Sequence, residues 1–208
     1  MFVTFEGIEG SGKTTQVAKL AERLRAAGRE VVVVREPGGT PLAEEARRLV
    51  LDPGLKPGPE AELFLMLAAR ADLVRRVVRP AMARGAVVLA DRFDLSTRAY
   101  QIAGRGLAEG PVLDANRLAT GGLEPDLVAV LDLPLAVGRA RQAAQRKVRD
   151  RMELEDDGFH RRVAEAFRAA DGQHIVHLRA DLAPEAVHAE LWGVLAQRFP
   201  QTFPAVPG

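Results

Sequence analysis

Residues 2–15 read Phe-Val-Thr-Phe-Glu-Gly-Ile-Glu-Gly-Ser-Gly-Lys-Thr-Thr, an apolar run followed by a glycine-rich turn. Gly7, Gly12, Lys13 and Thr14 occupy the defined positions of the GxxxxGK[ST] pattern. Its glycines let successive backbone N–H groups point at phosphate oxygens, and the next helix N-terminus adds about half a positive charge. The lysine reaches the β and γ phosphates, and the Thr14 hydroxyl is placed to bind Mg²⁺. The stretch therefore predicts a phosphate-binding loop.

The alternative interpretation of this stretch is a glycine-rich loop that only makes a turn. Lysine is rare in the chain, so about 10⁻³ chance matches to the pattern are expected. An amphipathic stripe at Val17, Leu20, Ala21 and Leu24 follows directly and predicts the required helix, ending near Gly28. We assign nucleotide binding to the whole loop, which comprises Gly7, Ile8, Glu9, Gly10, Ser11, Gly12, Lys13, Thr14 and Thr15.

Strand and helix patterns alternate along the whole chain. Apolar runs without polar alternation, typical of strands buried on both faces, occupy residues 2–5, 31–34, 86–90, 127–131 and 175–178. Further helices are predicted over residues 60–84 with a kink near Pro80, 111–120, 135–147, 159–170 and 184–198. Parallel neighbours need crossover connections, so the alternation predicts a five-stranded parallel sheet with helices on both faces.

The fold class expected is therefore α/β, a three-layer α/β/α P-loop NTPase fold formed by residues 1–208 as a single domain. Residues 139–151 hold six basic side chains and one acidic side chain, and acidic residues follow at once. We interpret residues 139–157 as a short mobile lid. The proline-containing tail, about residues 199–208, is expected to be loosely ordered.

Composition excludes several classes of protein. The 208 residues carry a net charge of +1, which gives no general electrostatic reason to bind nucleic acid or a membrane surface. Cysteine is absent, so disulfides and thiolate metal sites are excluded. The first residues lack a secretory signal pattern, and a cytoplasmic location is expected.

Charged residues follow two further strands. Asp91 and Arg92 end the third strand, where ligands of open α/β folds gather. Asp91 could hold Mg²⁺ through water, and Arg92 could grip a second phosphate, although a surface ion pair is the alternative. Residues 35–40 form a proline- and glycine-containing turn that lines the same rim or merely connects two elements. No NKxD sequence occurs, since Arg117 follows Asn116, and this disfavours a guanine-nucleotide switch.

Several blocks together resemble bacterial thymidylate kinases. They are Glu6-Gly7-x-Glu9-Gly10-x-Gly12-Lys13-Thr14-Thr15, Arg35-Glu36-Pro37-Gly38-Gly39, Ala68-Ala69-Arg70, Asp91-Arg92-Phe93, Ser96-Thr97-x-Ala99-Tyr100-Gln101, Gly104-Arg105-Gly106, Pro125-Asp126-Leu127 and Asp150-Arg151-Met152-Glu153. The resemblance implies a nucleoside monophosphate kinase that transfers the γ-phosphoryl group of ATP to dTMP with Mg²⁺. It also suggests a homodimer.

The resemblance further implies roles for individual residues. Arg70 and Thr97 would bind the thymine edge with Gln101 nearby, and Tyr100 would lie beneath the deoxyribose. Glu9 would lie near the sugar 3′-hydroxyl. The full predicted substrate-binding set is Glu9, Glu36, Arg47, Met66, Arg70, Arg92, Ser96, Thr97, Tyr100 and Gln101. From helical spacing alone, by contrast, Arg70 is better explained as a core residue with a snorkelling head group.

One position departs from the family pattern. Met66 stands four residues before Arg70, where the family commonly has a phenylalanine that stacks on the base. Either the thioether of Met66 packs on the base or Phe64 reaches across to it.

Phosphoryl transfer between two polyanions needs cations and alignment more than a strong base. The predicted catalytic set is Lys13, Asp91, Arg92, Arg146, Arg149 and Arg151. Thr14 and Asp91 are predicted to hold Mg²⁺, mainly through water and phosphate. One or more of Arg146, Lys147, Arg149 and Arg151 is expected to close over the phosphates, although most charge runs are solvated helix faces. The rival functions are a kinase for another nucleoside monophosphate or deoxynucleoside and a phosphate-loop binding or switch module.

Overall fold

The computed structural model describes residues 1–144 and 149–203. Its strands are β1 (Phe2–Glu6), β2 (Val31–Arg35), β3 (Val87–Asp91), β4 (Leu127–Asp132) and β5 (Ile175–Arg179). They form one parallel sheet in the order β2-β3-β1-β4-β5. The predicted five-stranded parallel sheet is confirmed.

The helices are α1 (Lys13–Ala26), α2 (Pro41–Leu51), α3 (Pro59–Leu73), α4 (Arg79–Ala83), α5 (Asp94–Thr97), α6 (Glu109–Thr120), α7 (Leu135–Ala144), α8 (Asp157–Arg168) and α9 (Pro184–Arg198). Two π-helical segments, Val74–Val78 and Arg98–Gly104, continue α3 and α5. Within residues 1–144 and 149–203, no helix combines the length and apolar character needed to cross a membrane.

The irregularity predicted near Pro80 takes the form of the first π-helical segment. Proline has no N–H to donate to the carbonyl four residues earlier, so regular α-helical bonding cannot continue through this position. The helix widens over Val74–Val78 and resumes at Arg79. The sequence analysis did not predict α2 or the helix that begins at Asp94, although Thr40 caps α2 through the N–H of Ala43.

The sheet separates two apolar layers. Val3 and Phe5 of β1 face the layer that contains α1, α8 and α9, whereas Phe2 faces the layer that contains Leu73 and Phe93. This alternation follows from the period of two along a strand. Thr4 and Glu6 therefore share the face of Phe2, and both are buried polar residues.

The edge strands differ from the expectation of burial on both faces. β1, β3 and β4 are almost fully buried, but β2 and β5 each have one buried residue, Val34 and Leu178. Edge position explains the difference, because each of these strands has a sheet neighbour on one side only. Phe203 is fully buried and packs on Trp192 at a ring distance of 5.7 Å. The tail up to residue 203 is thus packed on the core, and residues 204–208 lie outside the described part of the chain.

Candidate active site

The phosphate loop lies between β1 and α1 and depends on its glycines. Gly7, Gly10 and Gly12 all have positive φ angles, of 131°, 77° and 92°. A Cβ on Gly7 would lie 2.7 Å from the carbonyl oxygen of Leu131, and one on Gly10 would lie 2.6 Å from that of Gly138. Any side chain at these two positions would therefore collide with the backbone of β4 or α7.

Lys13 folds back over this loop. Its Nζ donates hydrogen bonds to the carbonyl oxygens of Gly7 at 3.0 Å and Ile8 at 2.8 Å, and to the Ser11 hydroxyl at 3.4 Å. Burial, together with the positive charge of Arg92, lowers the pKa of Lys13 to about 8. The ammonium group is held at the mouth of the loop by weak carbonyl acceptors, which an anion can replace.

The hydroxyl of Thr14 donates a 2.6 Å hydrogen bond to Oδ2 of Asp91. The bond joins the start of α1 to the end of β3, because β1 and β3 are neighbours and Phe5 is in register with Asp91. Hydroxyl and carboxylate oxygens are the hard ligands that Mg²⁺ prefers, so this pair fits the predicted cation. No group of three or more His, Cys, Asp or Glu side chains within the described ranges could hold a metal ion. Further Mg²⁺ ligands would have to come from phosphate and water.

Arg92, directly after β3, has a left-handed backbone with φ of 76°. Its NH1 donates to the Gly7 carbonyl at 3.0 Å and to the Ser96 hydroxyl at 3.1 Å. Its NH2 donates to Glu9 at 2.7 Å and to the Tyr100 hydroxyl at 3.1 Å. Burial disfavours the charge, but the surrounding acidic groups more than offset it and raise the pKa of Arg92. Burial alone would raise the pKa of Glu9, yet the charges of Arg92 and Lys13 hold that pKa below its usual value. The arginine remains a cation at the loop.

Tyr100 forms one wall of this site. Its hydroxyl donates a hydrogen bond to Glu9, and its ring packs edge-on against Phe167 at 6.0 Å. Burial raises the pKa of Tyr100 well above 10, so the phenol stays neutral. The ring is thus fixed by packing on one side and by hydrogen bonds on the other.

A cavity of about 290 Å³ connects the loop to the turn after β2. Predicted substrate residues that line it are Glu9, Glu36, Arg47, Met66, Arg92, Ser96 and Tyr100. Lining residues that the sequence analysis did not single out as site residues include Val50 and Leu51 at the end of α2 and Gln142 on α7. No local motif marks these three positions, because they reach the cavity only through the packing of their helices.

Arg70 does not line the cavity. Only 1% of it is exposed. Its guanidinium group donates four hydrogen bonds, to Glu36, Thr97, Asn116 and the carbonyl of Phe93, and NH2 also forms an ion pair with Glu36 at 2.6 Å. Burial opposes the charge, but Glu36 outweighs it and raises the pKa of Arg70. In this structure Arg70 is the centre of a buried polar network. Helical spacing indicated the core position, but the head group is buried and does not snorkel to solvent.

Met66 and Phe64, the two side chains considered for contact with a base, lie in different environments. Met66 lines the cavity, whereas Phe64 is 64% exposed and is not among the lining residues. Of the two alternatives left open by the sequence, Met66 is therefore the side chain available to contact a base. Thr97 and Gln101 are buried beside this region, and Oε1 of Gln101 has no hydrogen-bond partner within the described part of the chain.

The predicted lid cations separate into different environments. Arg149 is exposed and donates to the carbonyl of Glu153, beside a small pocket that also includes Glu9. Arg151 instead turns inward, donating to the carbonyl of Val50 at 2.7 Å and to the carboxylate of Glu62. Because its guanidinium group is held by these contacts, Arg151 is not free to close over the phosphates in this structure. Arg146 and Lys147 lie outside the described residues.

Glu62 on α3 is a residue that the sequence analysis missed. It is fully buried and accepts hydrogen bonds from Gln101, Arg105 and Arg151. Burial would raise its pKa, but the bonds from the two arginines more than offset it, so the pKa of Glu62 is lowered. A glutamate in a leucine-rich helical segment is the only signal in the sequence, and that signal does not identify its partners.

Comparisons with known proteins point to one family. A family model described as "Thymidylate kinase" matches residues 5–191. A protein of Deinococcus radiodurans named "Thymidylate kinase" is 47% identical over 201 residues, covering 95% of this chain and 97% of that protein. One of a Synechococcus strain, with the same name, is 50% identical over 203 residues, covering 96% of each. A crystal structure of thymidylate kinase from Ehrlichia chaffeensis aligns with a TM-score of 0.75 at 31% identity, over 94% of this chain and 98% of that one.

Proposed function

This chain belongs to the thymidylate kinase family, and from that premise we propose how its residues carry out the family's reaction. It is an ATP:dTMP phosphotransferase, which transfers the γ-phosphoryl group of ATP to dTMP and yields dTDP and ADP. The roles of individual residues, the binding of Mg²⁺ and the homodimer are what we propose.

The phosphate loop is the donor site. Its backbone N–H groups and the N-terminus of α1 hold the phosphates of ATP, and Lys13 exchanges its carbonyl acceptors for phosphate oxygens. Thr14 and Asp91 would hold Mg²⁺, mainly through water and phosphate. When bound, Mg²⁺ supplies charge neutralisation across the phosphates of the donor.

The far end of the cavity is the acceptor site. Arg92 grips the phosphate of dTMP, and Arg47, which lines the same cavity, adds a second cation. Tyr100 lies beneath the sugar, where its ring leaves no room for a ribose 2′-hydroxyl. Glu9 is placed for the 3′-hydroxyl.

The thymine base contacts Met66 and the buried polar residues Thr97 and Gln101. The unpartnered Oε1 of Gln101 is an acceptor that suits the N3–H of thymine, the single N–H donor of that base. Both N–H groups of Arg70 NH1 donate to residues of this chain, so contact of NH1 with the base requires it to release one of them. Asn116 and Thr97 are the two partners of NH1 available for that exchange.

The chemistry is direct in-line transfer. The attacking oxygen of dTMP is already an anion at neutral pH, so no strong base is required. Lys13 and Arg92 offset the repulsion between the two polyanions, and their fixed positions supply the alignment. Arg149, exposed beside the loop, is the described lid cation placed to add charge on closure, with Arg146 as a further candidate.

One observation carries this assignment: Lys13 and Thr14 of the phosphate loop and the Arg92–Tyr100 pair line the same cavity. Two phosphorylated ligands can therefore meet end to end. The test is a panel of dTMP, dUMP, UMP, AMP, CMP and thymidine, each incubated with ATP and Mg²⁺ and analysed for products. Formation of dTDP with a strong preference for dTMP is expected. A stronger preference for another acceptor would indicate the rival kinase, and ATP hydrolysis without any phosphorylated acceptor would indicate a switch module.

We also propose that the protein is a homodimer. Phe64 on α3 and Leu118 on α6 are 64% and 85% exposed, and α3 packs against both α2 and α6. Large exposed apolar side chains on adjacent helices are typical of interaction surfaces. Sedimentation should give twice the monomer mass, and Phe64→Asp should yield monomers. The single domain of residues 1–208, the lid at 139–157 and a cytoplasmic location stay predictions.

A further inference from the structure

Glu6, the last residue of β1, is a buried carboxylate that the proposed mechanism does not use. Its side chain is fully buried on the face of the sheet that packs against Phe93. Oε1 accepts from the backbone N–H of Phe93 at 2.8 Å and of Ser96 at 3.3 Å, and Oε2 accepts from the Ser96 hydroxyl at 2.6 Å. All three donors follow Arg92 in the chain.

Arg92 needs such support because its backbone is strained. Among the described residues it is the only non-glycine residue with a positive φ angle. A left-handed backbone is unfavourable for an L-residue with a side chain and persists where neighbouring bonds fix it. The bonds from Phe93 and Ser96 to Glu6 fix the chain immediately after the strained residue.

The Ser96 hydroxyl links Glu6 to the guanidinium group itself. A hydroxyl has one proton to donate, and a carboxylate can only accept. Ser96 therefore gives its proton to Oε2 of Glu6, which leaves its lone pairs for NH1 of Arg92 at 3.1 Å. The direction of both hydrogen bonds is set by the negative charge on Glu6.

We propose that Glu6 is a positioning residue that acts through Ser96 to hold Arg92 in the orientation that binds the acceptor phosphate. This inference rests on the proposed role of Arg92. NH1 is held from behind by Ser96 and the carbonyl of Gly7. Nε–H makes no hydrogen bond to any described residue, and NH2 contacts only Glu9 and Tyr100 at the cavity wall. Within the described part of the chain Nε–H is thus the unused donor, and a bidentate contact of the Nε–NH2 edge with a phosphate requires NH2 to exchange Glu9 or Tyr100 for a phosphate oxygen.

The test separates binding of the phosphate from binding of the rest of the nucleotide. Calorimetric affinities for dTMP and thymidine are measured at pH 8, where Glu6, with a pKa raised by burial to about 7, is ionised. In Glu6→Gln the amide oxygen still accepts from Phe93, so the amide NH₂ faces Ser96 and turns the hydroxyl proton toward Arg92. The ratio of dTMP affinity to thymidine affinity should fall about 10-fold, with ATP affinity unchanged. Ser96→Ala should lower the same ratio, and it decides the question if Glu6→Gln does not fold.

Two further variants make the outcomes distinct. Asp126→Asn is the matched control, because Asp126 accepts the N–H of Phe2 at 2.7 Å at the opposite end of β1. It should leave the ratio unchanged. Arg92→Gln should lower the ratio more than either relay variant, and an unchanged ratio there would overturn the proposed role of Arg92. If Arg92→Gln lowers the ratio while Glu6→Gln and Ser96→Ala do not, the positioning role of Glu6 is wrong.

Discussion

Arg151 and Glu62 form a buried ion pair that ties the segment after α7 to the helix beneath the base-binding region. The two side chains are 10% and 0% exposed, and Arg105 adds a second cation to the same carboxylate. The charge run that the sequence presents as a uniform lid therefore has an anchored part, Arg151, and an exposed part, Arg149. This anchor, the Arg151–Glu62 ion pair, fixes Arg151 relative to α3.

Removal of the Glu62 carboxylate should destabilise the protein strongly. Glu62→Ala would leave Arg151 with only the longer contact to Glu155, at 3.8 Å, and the loss of a buried partner costs about 3–5 kcal/mol. Urea unfolding measures this free energy. Glu45→Gln is the surface comparison, because Glu45 and Arg48 form an exposed pair worth under about 1 kcal/mol. Equal losses in the two variants would contradict the anchor.

Arg149 and Arg151 should differ in what their removal changes. Arg149→Ala is expected to lower kcat by about 10³-fold at nearly unchanged stability, because an exposed lid arginine acts on the transition state. Arg151→Ala is expected to lower the melting temperature more than it lowers kcat, because it removes the buried ion pair with Glu62. Steady-state kinetics and thermal unfolding of both variants decide this. A normal kcat in Arg149→Ala would show that it is not the catalytic lid cation.

Lys13→Ala should abolish turnover while the fold is retained. The ammonium group is the fixed cation of the donor site, and loss of such a group costs about 10³-fold or more in rate. Product assays and circular dichroism measure the two properties. Lys19→Ala is the control on the same helix, since Lys19 pairs with Glu185 near the surface and should be dispensable. Full activity in Lys13→Ala would contradict the proposed mechanism.

Tyr100 should set the preference for a deoxyribose. Tyr100→Ala is expected to lower the ratio of kcat/KM for dTMP to kcat/KM for UMP, because without the ring a 2′-hydroxyl is no longer excluded. Tyr100→Phe keeps the ring and should keep most of that preference, although it loses the bond to Glu9. An unchanged ratio in Tyr100→Ala would mean that the ring serves packing against Phe167 alone.

The buried Glu6 should make stability depend on pH in an unusual direction. Burial raises its pKa from 4.5 to about 7, so between these values the folded state holds a proton that the unfolded state has lost. The shift has no effect on stability below pH 4.5, lowers the free energy of unfolding progressively between pH 4.5 and pH 7, and has removed about 3 kcal/mol once the pH is above 7. Glu6→Gln lacks the titration. The stability of the variant relative to the parent should therefore increase between pH 5 and pH 8, as measured by urea unfolding, and a constant difference would argue against the raised pKa.

Prediction of the fold from the sequence succeeded where the signal is local. The strand runs and the GxxxxGK[ST] pattern predict the sheet and the loop, because backbone periodicity and glycine geometry depend on neighbouring residues. Two helices were missed for a related reason. The helix at Asp94 starts with only four α-helical residues before it widens into a π-helical segment, so its periodicity is short and irregular. The N-cap Thr40 and Pro41 mark the start of α2, but Thr40 is the last residue of the turn that was interpreted as a rim loop, and Pro41 follows it directly.

At the site, local sequence patterns predicted some residue positions, and others depended on tertiary contacts. Lys13, Thr14 and Arg92 could be identified because motif position and the carboxyl edge of the sheet place them together. The environment of Arg70 could not, since its partners Glu36 and Thr97 lie 34 and 27 positions away in the chain. The resemblance gave Arg70 a contact with the base, whereas its present hydrogen bonds are all internal.

The amino-acid sequence by itself determined that this chain builds a parallel sheet around a phosphate loop, and its resemblance to thymidylate kinases implied that it phosphorylates a nucleotide. The sheet and the loop follow from short patterns whose backbone geometry is local. Only the tertiary structure decided which charges are free and which are anchored. Glu62 meets Arg151 across 89 positions and Glu6 meets Phe93 across 87. Burial raises the cost of an unpaired charge, so these distant partners fix the site, and no local pattern encodes that choice.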